Sequence, residues 1–232
     1  MNKLSLLLLG IFISVQSFSQ KKEITNELIW ASRTFGAKSV DEVRSMKDGE
    51  HFTALDADEN TPAEINKYTY KDYSKKGTIV SSKDLKYDDK NIGIEEYEFN
   101  ADESMLLIAT GVDFIYRRSY KAYFYIYDIN KKTIVPLADV TKGKQSLAEF
   151  SPDGKKVAFT RDNNIFIYDL ASKKETQVTT DGAINKIING GTDWVYEEEF
   201  SITKGFYWSP NSTKIAYYKF DEGSGTVAAD SS

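Results

Sequence analysis

Residues 192–200 read Thr-Asp-Trp-Val-Tyr-Glu-Glu-Glu-Phe, three adjacent carboxylates behind a Trp-Val-Tyr sequence that has the character of a strand. Folding alone gives no reason for such a run. Like charges repel and bury poorly, and a charge run that serves only solubility is a solvated loop. The chemistry that would use it is capture of a cation. Two carboxylates held side by side attract an ammonium group by about 4 kcal/mol each, at a separation of about 4 Å in an effective dielectric of roughly 20. Water filling the site would reduce this greatly. On an extended segment, alternation turns the Glu197 side chain away from that of Glu198, so Glu197 is expected to matter less. Trp194 is expected to buttress the glutamate segment, and Trp30 and Trp208 to pack within or between sheets.

The stretch Asp193-Trp194-Val195-Tyr196-Glu197-Glu198-Glu199 resembles the signature of the dipeptidyl peptidase IV family, secreted or membrane-attached serine exopeptidases that remove dipeptides from peptide N-termini. The resemblance implies that Glu198 and Glu199 bind the free α-ammonium group of a peptide substrate. A second stretch, Tyr116-Arg117-Arg118-Ser119-Tyr120 followed by Tyr125-Ile126-Tyr127-Asp128, is similar to the family's Trp-Arg-His-Ser-Tyr segment and the strand after it. It implies that Arg117 positions the glutamates and the substrate's backbone carbonyl. Tyr116 and Arg118 stand where the family has Trp and His.

The elements that must carry these residues are all β. Residues 150–156, Phe-Ser-Pro-Asp-Gly-Lys-Lys, make a turn, residues 157–160 alternate, Asp162-Asn163-Asn164 turns again, and residues 165–170 form the next strand. Lys173-Lys174 then leads to a fourth strand near Thr176. Weaker copies of the turn-then-strand signal begin at Asp48-Gly49, Asn100-Ala101-Asp102 and Ser209-Pro210-Asn211. A recurrence about every 50 to 60 residues with four strands per unit points to β-propeller blades. The expected fold class is all-β, a partial β-propeller of four-stranded antiparallel blades. The family resemblance implies eight blades, against about four starts here. Open propeller edges are expected to promote self-association.

Lys3 before the apolar run Leu4 to Val15, with Ser17 and Ser19 at the positions a signal peptidase reads, predicts a secretory signal peptide over residues 1–20 and a secreted or periplasmic location. The run is too short to span a bilayer. The propeller region is expected over 21–222, incomplete, and 223–232 as a flexible tail on its Gly-Ser-Gly composition. No cysteine is present, which excludes disulfides and thiolate metal sites. A net charge of −5 with interspersed signs excludes a nucleic-acid-binding face. Asp56-Ala57-Asp58-Glu59-Asn60 alternates oxygen ligands but lacks the Gly and distant Glu of a calcium loop, so no metal and no cofactor is expected. Asn211-Ser212-Thr213 fits a glycosylation sequon, yet it occupies a turn slot.

The sequence contains no Gly-x-Ser-x-Gly elbow, and its one histidine, His51, follows a turn at a strand start, where it reads as a surface residue. No catalytic residue is therefore assigned, and the chain is expected to be inactive alone. The resemblance implies a partner α/β-hydrolase domain carrying a Ser-Asp-His triad. Two functions remain open at this point. One is the substrate-recognising propeller region of a dipeptidyl peptidase IV-like serine exopeptidase acting on peptides with a free N-terminus. The other is a non-catalytic secreted β-propeller module that binds peptides or proteins.

Overall fold

The structure is a computed structural model that describes residues 23–32, 34–35, 41–58, 61–223 and 226–230. The expected signal peptide lies outside the described residues. Met1–Ser39 and Val40–Ser232 are separate units. In the first, a single turn of π-helix, Glu27–Ala31, is described, and Trp30 in it is exposed rather than packed. Among the described residues no helix is long and apolar enough to cross a membrane.

The second unit is built from antiparallel meanders. β1 (Asp41–Ser45), β2 (His51–Asp58), β3 (Thr61–Thr69) and β4 (Lys75–Ser81) form one sheet in chain order. A short hairpin, β5 (Lys86–Tyr87) and β6 (Lys90–Asn91), follows. The second sheet holds β7 (Glu96–Phe99), β8 (Met105–Phe114), β9 (Tyr120–Asp128) and β10 (Thr133–Pro136), and the third β11 (Ser146–Phe150), β12 (Lys156–Arg161), β13 (Asn164–Asp169) and β14 (Lys174–Gln177). These are successive blades of a partial β-propeller.

The central strands of the second and third sheets are apolar on both faces because a neighbouring sheet covers each face. Along β8 and β9 the two-residue period sends Leu106, Ile108, Tyr125 and Tyr127 into a core shared with Leu55 and Ile65 of the first sheet. The alternate residues Leu107, Ala109, Phe124 and Ile126 enter a second core with Val157 and Phe159 of the third. A third core sets Ala158 and Ile165 against Phe206, with Trp208 partly buried beside them. Each fully buried Leu, Ile or Phe contributes roughly 1.5–3 kcal/mol, so these interfaces and not the solvent-facing turns hold the stack together.

The recurrent turns predicted from sequence all fall between the first and second strands of a sheet. Asp48 Oδ1 accepts the Glu50 and His51 N–H groups at 3.0 and 2.9 Å, and Ser151 Oγ and Ser209 Oγ accept those of Lys156 and Lys214 at 3.0 and 2.9 Å. The turns also join neighbouring sheets: Lys47 N–H donates to Glu103 at 2.7 Å and Asp153 N–H to Ser212 Oγ at 3.0 Å. His51 lies at the start of β2, its Nδ1 2.7 Å from Asp48 Oδ2. Asp56, at the head of the acidic stretch, accepts Asn66 Nδ2 at 2.6 Å and the Tyr68 hydroxyl across the first sheet.

The fourth sheet departs from the pattern. β15 (Ile187–Asn189) pairs with residues 219–221 and β16 (Phe206–Trp208) with residues 215–217 of β17 (Ile215–Asp221). β18 (Thr226–Asp230) takes the other edge of β17, so β15 and β16 are two halves of one strand along a single edge. Residues 226–230, within the segment expected as a flexible tail, pair with β17. Between the half-strands the chain leaves the sheet from Gly190 and returns at Gly205, whose N–H donates to Gly190 O at 2.9 Å. A side chain at Gly205 would meet Gly191 O at 2.7 Å, and Gly190, at φ +74°, would press a Cβ to 2.7 Å from Ile165.

Gly190→Ala should lower stability by roughly 2–4 kcal/mol, combining left-handed backbone strain with displacement of a core isoleucine. Gly49→Ala, at φ +68° with nothing within 4 Å, should cost only the backbone part, about 1 kcal/mol. Urea denaturation midpoints of the two variants check this difference, and equal losses would exclude a packed neck.

Candidate functional site

The excursion from the fourth sheet carries the glutamate run, and there it is a helix. α1 (Trp194–Phe200) replaces the strand expected for Trp-Val-Tyr. Asp193 caps it, its Oδ1 accepting the Tyr196 N–H at 2.9 Å, and Ser201 closes it in the left-handed region at φ 58°. A helix of seven residues has no stability of its own in water and must be held by tertiary contacts. Two elements supply them.

The first is aromatic. The Tyr196 ring packs edge-on against Phe220 of β17 at 4.9 Å and lies 5.5 Å from Phe200. Tyr196, not Trp194, buttresses the segment: Trp194 is 52% exposed. The second is the hairpin joining β8 and β9. These strands have 10 and 9 residues against six each in β12 and β13, so the hairpin tip, residues 115–119, overhangs its own sheet. A bulge at Gly111, φ +63°, re-aims it, with the Glu95 carboxylate accepting the Gly111 and Val112 N–H groups at 2.5 and 3.0 Å.

At the tip the chain meets α1. Glu197 Oε1 accepts the backbone N–H groups of Arg118 and Ser119 at 2.7 and 2.9 Å, and Arg118 Nη1 donates to the Glu197 carbonyl at 3.1 Å. Glu197 is only 2% exposed. Burial pushes its carboxyl pKa up, but the hydrogen bonds from Ser119 and Arg118, with the Arg118 charge, outweigh burial and hold it below the ordinary value. Glu197 is turned away from Glu198, as expected, but by a helix and not by strand alternation, and it carries a structural contact that the sequence did not suggest. On a helix successive side chains turn by about 100°, so burying Glu197 leaves Glu198 at the boundary and Glu199 in solvent.

Of the three residues expected at the site, the structure brings two together. Arg117 Nη2 stands 3.7 Å from Glu198 Oε2, with the guanidinium largely exposed and Glu198 mostly covered. In water such a pair is worth about 1 kcal/mol or less, so it orients more than it stabilises. Among the described residues no hydrogen bond or ion pair reaches the Glu199 side chain. Sequence reasoning missed Glu197 and Arg118 as the joint that carries the site. The signal available was Asp193 followed by a row of glutamates, which is how a helix N-terminus reads.

Residues 100–226 match the family model described as the dipeptidyl peptidase IV (DPP IV) N-terminal region. The chain is 34% identical over 146 residues to prolyl endopeptidase FAP of Homo sapiens, covering 62% of this chain and 19% of that protein. It is 33% identical over 137 residues to dipeptidyl peptidase 4 of Sus scrofa, covering 59% of this chain and 18% of that protein. The chain thus spans about a fifth of the length of these curated relatives. The crystal structure of Porphyromonas gingivalis dipeptidyl peptidase 4 superposes with a TM-score of 0.78 at 39% identity, covering 87% of this chain and 28% of that one.

Replacing Glu197 by Ala leaves two backbone donors without their acceptor and should cost about 1–3 kcal/mol, with Glu197→Gln milder because an amide oxygen remains. Because the folded pKa is depressed, this contribution is present above the ordinary glutamate value of about 4.3 and is lost as pH falls through the lower folded value. The stability gap between wild type and Glu197→Gln, measured by denaturation from pH 7 downwards, should therefore hold steady to about pH 4.3 and shrink below it. A gap independent of pH would show that the charge of Glu197 is not what holds the helix.

Proposed function

Since the chain belongs to the dipeptidyl peptidase IV family through its N-terminal region, we propose that it forms the substrate-recognising propeller part of a secreted dipeptidyl peptidase IV-like serine exopeptidase. In this reading Glu198 and Glu199 hold the free α-ammonium group of a peptide, and Arg117 orients Glu198 and takes the substrate's backbone carbonyl. The hydrolysis itself belongs to an α/β-hydrolase domain as partner. By fixing the N-terminus, the glutamate pair sets how many residues separate it from the scissile bond, so recognition measures out a dipeptide.

The observation that carries this reading is the division of labour along one helix turn. Glu197 is pinned and buried, so that Glu198 and Glu199 are presented in fixed directions with a guanidinium 3.7 Å from the first of them. A solubilising charge run would need no such anchor. Fixed acceptors lose little reorganisation energy when the ammonium arrives, which is what distinguishes a site from an acidic surface.

In a form of the protein carrying the hydrolase domain, Glu198→Gln and Glu199→Gln should each lower kcat/KM for dipeptide-type substrates about ten- to a hundredfold, the roughly 1.5–3 kcal/mol of a charge-assisted hydrogen bond. Arg117→Ala should act in the same direction. Acetylating the substrate's N-terminus should remove the difference between wild type and variants. An acetylated peptide cleaved as well as the free one would show that these glutamates do not hold the ammonium group.

A further inference from the structure

A two-stranded ribbon is marginally stable by itself in water, and the hairpin that carries Arg117 is one. β7 pairs with β8 only as far as Ala109, and β10 with β9 only from Tyr125. A single bridge ties Ala122 to Gln145, and past it, among the described strands, β8 and β9 pair with each other alone. The direction of this ribbon is set at the bulge, where the register slips between Thr110 and Asp113. The slip turns out two successive N–H groups, those of Gly111 and Val112, and the two carboxylate oxygens of Glu95 take one each, at 2.5 and 3.0 Å. Glu95 is itself tied to the sheet, its N–H donating to Ala109 O at 3.0 Å. We propose that Glu95 is a positioning residue of the recognition site: by clasping the bulge it sets the angle of the hairpin, and so the place of Arg117 against Glu198. This role rests on the reading of Arg117 and Glu198 as ammonium-site residues.

The ribbon acts as a lever. About five residues separate the bulge from the tip, roughly 16 Å of extended chain, so a tilt of about 10° at the bulge carries the tip about 3 Å. That is comparable with the 3.7 Å between Arg117 Nη2 and Glu198 Oε2. The joint from Glu197 to the Arg118 and Ser119 N–H groups holds the ribbon at its far end, and the clasp holds it at its root. Arg117 has a fixed direction only when both ends are held. Glu96 grips the opposite strand, its carboxylate accepting the Tyr120 hydroxyl, and Asp113 pairs with Lys144 at 2.6 Å. Neither contact occupies the bulge N–H groups, so neither replaces the clasp.

The clasp matters for direction more than for stability. Glu95 and Gly111 are exposed, and Glu95 belongs to none of the apolar cores between the sheets. If the carboxylate is removed, water can reach the freed N–H groups and the sheets stay packed. Water satisfies the donors without fixing the angle between them and the second sheet. The consequence of losing Glu95 therefore falls on the geometry at Arg117, and misplacement of a binding group by about 1 Å is enough to weaken recognition severalfold or more.

The test titrates the purified chain with the C-amidated tripeptide Gly-Pro-Gly and with its N-acetylated form, following the Arg117 Nε–H and Trp194 indole signals by NMR. Glu95→Ala should weaken binding of the free peptide roughly tenfold and move the Arg117 signal of the unliganded chain, with the thermal unfolding midpoint unchanged. Glu95→Gln retains one acceptor oxygen, so it should weaken binding only about threefold, and it stays readable if Glu95→Ala fails to fold. In an Arg117→Ala background the Glu95→Ala change should weaken binding less than twofold, because the effect passes through Arg117. Glu95→Ala binding as wild type, while Glu198→Gln binds about tenfold more weakly, would overturn this role and leave the ammonium site standing. A loss from Glu95→Ala that is as large without Arg117 as with it would show a general effect on the fold and overturn the role too. A wild-type chain that binds the free and acetylated peptides alike, or neither, would overturn the ammonium reading and with it the role of Glu95.

Discussion

The joint between Glu197 and residues Arg118 and Ser119 is the contact on which the placement of Glu198 and Glu199 depends. It links a helix inserted in the fourth sheet to a hairpin tip of the second, 78 and 79 positions apart in sequence, with the third sheet between them. Each partner supplies what the other lacks. The hairpin tip has backbone N–H groups beyond the reach of its own ladder, and the helix has a carboxylate that could not be buried without donors. Arg118 then takes the Glu197 carbonyl, so one short segment engages both the side chain and the backbone of the same residue.

That joint requires the sheets to hold a fixed spacing, which the cores between them provide. Because β8 and β9 are apolar on both faces, a shift of the second sheet relative to the third would open one core and overpack the other. The third interface continues this to the excursion: Lys204, at its return, pairs with Glu149 of β11 at 2.8 Å and lies over the ring of Phe206. The position of Glu198 relative to Arg117 is in this sense set by leucines and phenylalanines well away from either.

Much of the fold was legible because it rests on local chemistry. The Asp, Asn and Ser turns recur where the backbone needs a side-chain acceptor, and all four mark the same corner of successive sheets. The glutamate run stood out in sequence as more than a solvated loop, and one of its members, Glu197, is a structural joint. The conformation of the run was not legible. Trp-Val-Tyr has strand propensity, and although Asp193 offers a local cap, the donors that bury Glu197 lie on another sheet, outside any local window. The pairing of residues 226–230 was not legible for the same reason: the edge of β17 that they meet lies outside the segment. Trp194 was misplaced because its size suggested packing, whereas the turn of the helix sends Tyr196 inward and leaves Trp194 in solvent.

Why the site is a helix set into a strand, and not a strand, follows from geometry and from the backbone ladder. On a strand Glu198 and Glu199 would face opposite sides of the sheet, and no single ammonium group could reach both. On a helix they diverge by about 100°, which is what the proposed binding of one ammonium by both would require. An insertion in a strand ordinarily breaks the ladder of the sheet. Here one residue carries it across: Tyr218 O accepts the Gly190 N–H at 3.0 Å and Tyr218 N–H donates to Gly205 O at 2.7 Å. The departing and returning ends of the excursion thus occupy consecutive rungs on β17, and the sheet keeps its hydrogen bonds. Only residues without a Cβ can approach so closely at that neck. The glycines and the buried glutamate are therefore parts of one solution, in which the first admits a helix to the edge of a sheet and the second fixes its rotation.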